Sequence, residues 1–143
     1  MFNPERVLEN KEKESGEPKE LTSFKVFMEI VKDGIKKKYI SSPENVQILS
    51  QNLKELEQEG IKIPALEEMR RDIENMEMEA IGGALSSSLE IFDQINNNDR
   101  SLKLSWYYKV EELFKKNQDK LNEEDGKKTE NWLKENAEKL GLN

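Results

Sequence analysis

Residues 64–95 read PALEEMRRDIENMEMEAIGGALSSSLEIFDQI, and the spacing of their apolar side chains decides the fold. Leu66, Met69, Ile73, Met76 and Ala80 recur in steps of three and four, which places them on one stripe of an α-helix. Met78, Ile81, Leu85, Ser88, Phe92 and Ile95 form a second stripe, rotated by two residues from the first. Gly82-Gly83 sits where the two overlap. Either one long helix is buried on different sides in its two halves, or the chain divides into two helices. Adjacent glycines weaken a helix interior by roughly 1–2 kcal/mol, which favours a break or kink here. The small residues from Ala80 to Ser88 also let another backbone approach closely, as in bundle packing, a hinge or a partner's groove.

Outward from this segment, the same periodicity repeats. Upstream, Thr22 or Ser23 is a candidate cap for a helix carrying Phe24, Phe27, Met28, Val31 and Ile35 on one stripe, with Val26 and Ile30 off it. A helix apolar over more than half its circumference is expected to be the most central. Lys36-Lys37-Lys38 then complement the free carbonyls at its C-terminal end. Ser42, Pro43 and Glu44 form a start signal for a helix bearing Val46, Leu49, Leu53 and Leu56, and Gly60 is its natural stop. Pro64 is placed to open the next helix.

Downstream, Asn96 to Asp99 is a polar turn, and Asp99 or Ser101 begins a helix with Leu102, Trp106, Val110, Leu113 and Phe114. Trp106, Tyr107 and Tyr108 are consecutive, so they cannot all face inward, and the outward member is a candidate interface anchor. Asn122 to Lys128 reads as a charged loop, after which Thr129 caps a final helix with Trp132, Leu133, Ala137 and Leu140. Leu140-Gly141-Leu142 fits a left-handed glycine closure. The expected architecture is all-α: a compact bundle of five to six helices over residues 21–143, behind a mobile charged arm over residues 1–20.

Composition then limits the chemistry. The 143 residues contain no histidine and no cysteine, the side chains that carry most nucleophilic, acid–base and soft-metal chemistry near neutral pH. Neither phosphate-binding glycine motif can be written from the seven glycines. No catalytic residue, cofactor or metal site is expected. Glu67, Glu68, Asp72 and Glu74 could in principle meet a divalent ion, but solvated charges account for them equally well. With no cysteine, no leader-like start and no long apolar run, a cytoplasmic, non-membrane protein is expected.

The net charge of −7 is unevenly spread: residues 41–99 hold 4 basic and 13 acidic groups, and the flanking segments are nearly balanced. Such a surface repels phosphate backbones and attracts a basic partner. The functional expectation is a non-catalytic, regulatory or inhibitory protein that binds a protein partner, with no direct nucleic-acid contact. Trp106, Tyr107, Tyr108, Glu67, Glu68, Asp72 and Glu74 are the candidate partner-binding residues. Self-association through residues 24–35 or the Gly82-Gly83 segment is the competing expectation.

Overall fold

The computed structural model describes residues 17–142, and these form an all-helical bundle. Five α-helices succeed one another: α1 (Lys19–Lys36), α2 (Ser42–Gln58), α3 (Leu66–Gln94), α4 (Arg100–Asn117) and α5 (Glu123–Lys139), with a 3-10 turn at Gln118–Lys120. The arm expected over residues 1–20 lies outside the described residues as far as Gly16, and Lys19 and Glu20 already belong to α1.

The two glycines do not break the chain: α3 is one helix of 29 residues. Its first half packs Ile73, Met76 and Ala80 against Phe24, Met28, Val31 and Ile35 of α1 and Val46, Leu49 and Leu53 of α2. Its second half packs Ile81, Leu85 and Leu89 against Val110 and Phe114 of α4, and Phe92 against Tyr107, Ala137 and Leu140. Between Ala80 and Ile81 the buried face turns by about 100°, one residue's rotation. The helix is thus held by a core on either side of the glycines, and apolar burial at about 25 cal/mol per Å² readily exceeds a propensity deficit of 1–2 kcal/mol. Consequently α3, rather than α1, is the central element, because it alone serves both cores. Met78, assigned to the second stripe, is instead 44% exposed.

Glycine at both positions admits close neighbours. A Cβ on Gly82 would lie 2.8 Å from Asp125 Oδ2 at the start of α5, and one on Gly83 would lie 3.4 Å from Lys38 Cγ. Ser87 Oγ also donates to the Lys38 carbonyl at 2.8 Å. The small-residue segment therefore receives the α1–α2 loop and the head of α5.

Helix ends follow capping chemistry, though not always at the expected residue. Extended Pro18 precedes α1, so Thr22 falls in the first turn, buried, with its hydroxyl donating back to the Pro18 carbonyl. Ser41 rather than Ser42 flanks α2, because Ser42 is enclosed, facing Gly34. Left-handed Ala65 intervenes between Pro64 and α3, which starts at Leu66. The stretch expected as a loop before Thr129 is the first turn and a half of α5: Asn122 Oδ1 accepts from the Asp125 amide at 2.8 Å, and Glu123, Glu124 and Asp125 complement the positive helix end. Thr129 is buried within that helix and bonds the Asp125 carbonyl. As expected, Asp99 caps α4 through the Leu102 amide, and Gly60 and Gly141 close their helices at positive φ. The Leu142 amide reaches the Ala137 carbonyl at 2.8 Å, the six-to-one bond of a Schellman closure.

Candidate protein-docking surface

The structure does not bring the aromatic and acidic candidates together. Trp106, Tyr107 and Tyr108 stand on α4 beside the second half of α3, whereas Glu67, Glu68, Asp72 and Glu74 lie in the first two turns and a half of α3. From Glu74 to Ser88, the residue that Trp106 touches, the helix rises about 21 Å at 1.5 Å per residue.

Of the aromatic trio, Tyr107 points into the core. It is 4% exposed, stacks on Trp132 with centroids 5.9 Å apart, and donates its hydroxyl to the Leu133 carbonyl at 3.2 Å. Burial first, and the nearby Glu111 carboxylate second, push its phenol above the ordinary value. Trp106 is partly enclosed, its indole N–H donating to the Ser88 carbonyl at 2.7 Å. Only Tyr108, half exposed, faces solvent as an interface anchor can. Among the acidic candidates, Glu67 accepts from Arg70 Nη1 at 2.6 Å, and Arg70 also pairs with Glu57 on α2. That second hydrogen bond is the main reason the guanidinium is held above its usual value. Glu68 and Glu74 are exposed, and Asp72 lines a shallow cleft with Lys32, Lys36, Asn75 and Glu79.

An adjoining cleft of about 740 Å³ opens between the halves, where Lys36 and Lys38 face Glu79, Gly82 and Asp125. Its charges are mixed, and among the described residues no set of three acidic side chains is gathered to hold a metal. No described helix is long and apolar enough to cross a membrane.

A more coherent surface lies on the outer face of the α1–α2 hairpin. Ile30 and Ile48 are 47% and 48% exposed, and Tyr39 in the connecting loop is 53% exposed. Phe27, Ile30 and Gly34 follow one another in steps of three and four, so they form one ridge of α1. Ile48, Asn52 and Glu55 form the corresponding ridge of α2, and Glu59 continues it just past the helix end. The ridges adjoin, since a groove of about 340 Å³ is lined by Phe24, Phe27 and Glu20 on one side and Glu55, Leu56 and Glu59 on the other. Tyr39 continues the apolar run, because its Cδ2 comes within 3.4 Å of where a Cβ on Gly34 would stand. Phe27, Ile30, Tyr39 and Ile48 thus share one face, with carboxylates at its open end.

In the sequence Ile30 stands only as an apolar residue off the main stripe. An exposed isoleucine on each of two paired helices was the available signal. No protein-family model, curated protein or solved structure matches this chain.

Proposed function

We propose that the protein is a non-catalytic protein-binding module of regulatory type, working in the cytoplasm, that engages its partner through the outer face of the α1–α2 hairpin. The observation that carries this reading is that Ile30, Ile48 and Tyr39, each about half exposed, stand on the adjoining outer ridges of α1 and α2 and on the loop that joins them, with the half-buried Phe27 lining the groove between the ridges. Scattered surface apolar residues need no explanation, but a contiguous group rimmed by polar side chains is the signature of an interaction site. A chain without imidazole or thiol, and with glutamates spread over its surface, offers recognition by shape and charge rather than bond-making.

The test is capture from host extract by the full chain and by an Ile30→Asp/Ile48→Asp variant. Both positions are about half exposed, so circular dichroism should show an intact bundle. A partner retained by the wild type and lost by the variant supports the reading. Identical capture by both proteins would remove this face from the function.

A further inference from the structure

We infer that the occupant of the α1–α2 face is a basic amphipathic helix of a partner protein; this rests on the protein-binding reading above. Two parallel ridges with an apolar floor make a trough that suits a helix carrying anchors at every third or fourth position. At its lower end Glu20, Glu55 and Glu59 rim Phe27 and Leu56, and Glu44 stands one turn before Ile48 on α2. Among the described residues none of these four carboxylates is held in an ion pair; the cations next to them along the chain are Lys19 and Lys54, with Lys37 at the C-terminal end of α1. Lys37 is already paired with Asp33 at 2.9 Å. The face is therefore apolar at its centre and net acidic at its margin, the complement of a helix with leucine-like anchors flanked by lysine or arginine.

Charge also argues against a second copy of this chain. An isologous contact would set the same acidic margin on both sides of the interface, where like charges oppose each other.

The experiment measures anisotropy of a labelled Leu–Lys amphipathic helix of roughly 18 residues titrated with the full chain. Expected is saturable binding that weakens about tenfold or more between about 50 and 300 mM salt, as screening removes the charge contribution. Ile30→Asp/Ile48→Asp and Glu55→Lys/Glu59→Lys should each weaken it about tenfold or more, as loss of central anchors or complementary charge does. Leu102→Asp, half exposed on α4 in the far half of the molecule, should leave it unchanged. A peptide of identical composition with its leucines scattered should bind at least about tenfold more weakly, because it presents no apolar stripe.

Several results would overturn the proposal: no binding, equal binding of the scattered peptide, or indifference to the Ile30 and Ile48 changes. So would sedimentation equilibrium showing a dimer of the full chain that Ile48→Asp dissolves, since a second copy would then hold the face. A captured partner that depends on Ile30 and Ile48 but presents no basic helix would overturn this inference while leaving the protein-binding reading intact.

Discussion

Replacing Gly83 by alanine should stabilise the protein, although the residue belongs to a glycine pair in the middle of its central helix. Gly83 lies within α3 and is not among the glycines at positive φ, so alanine meets no backbone strain. Its new methyl would lie 3.4 Å from Lys38 Cγ, 3.6 Å from Lys38 Cβ and 3.7 Å from Lys38 Cα, all ordinary van der Waals distances. What remains is the propensity difference, about 1 kcal/mol in favour of alanine. With a urea dependence of about 2 kcal/mol per molar, the unfolding midpoint should rise by about 0.5 M. The thermal midpoint should rise by about 3–4 °C. Gly82→Ala makes the contrast. There the methyl would come within 2.8 Å of Asp125 Oδ2, and that carboxylate, which accepts from Asn122 Nδ2 at 3.1 Å, must swing away. Losing that exposed hydrogen bond costs about 0.5–1 kcal/mol, so Gly82→Ala should come out near neutral. Urea titrations followed by far-ultraviolet circular dichroism give both numbers. A Gly83→Ala midpoint at or below the wild type would refute the argument that α3 runs straight through the pair with room beside Gly83.

Three further outcomes are expected. Asn122→Ala removes the side-chain cap of α5 and should lower stability by about 1 kcal/mol, with faster amide exchange at Asp125, whose N–H loses its acceptor. Trp106→Phe keeps most of the apolar contact but deletes the 2.7 Å bond to the Ser88 carbonyl, and urea unfolding should show a loss of about 1 kcal/mol. Tyr107 titrates above the ordinary phenol value in the folded protein, so the unfolded chain surrenders that proton first as pH rises. Stability from this group should be fully present below about pH 10 and decline above it, and urea midpoints against pH should lose that alkaline slope in Tyr107→Phe.

Much of the architecture was legible because apolar periodicity and capping act over a few residues. The two stripes meeting at Gly82-Gly83 are legible as a change of buried side, equally readable as one helix or as two, and the glycine pair favours a break or kink that α3 does not show. Whether it stays whole was not legible, since that depends on α1, α2, α4 and α5 enclosing it from both ends. Cap choices failed where competing residues stood close together: Asn122 precedes Thr129 with three acidic residues between, and a single Gly126 did not outweigh them. Tyr108 emerged as the exposed member of its trio, as consecutive aromatics on a helix require. The α1–α2 face was the hardest to see. Ile30 and Ile48 are isolated off-stripe residues in sequence, and only pairing of the two helices sets them side by side.

Both tryptophans belong to the C-terminal core: Trp106 on α4 and Trp132 on α5 surround the second half of α3, while the N-terminal core contains none. Intrinsic indole emission is therefore a half-molecule reporter, blind to the hairpin of α1 and α2, whereas ellipticity averages over every helix. Coincidence of the two melting curves is then a direct measure of how tightly the shared helix yokes one core to the other. Divergence would mean that the α1–α2 hairpin can loosen while the indoles still glow as in the native state.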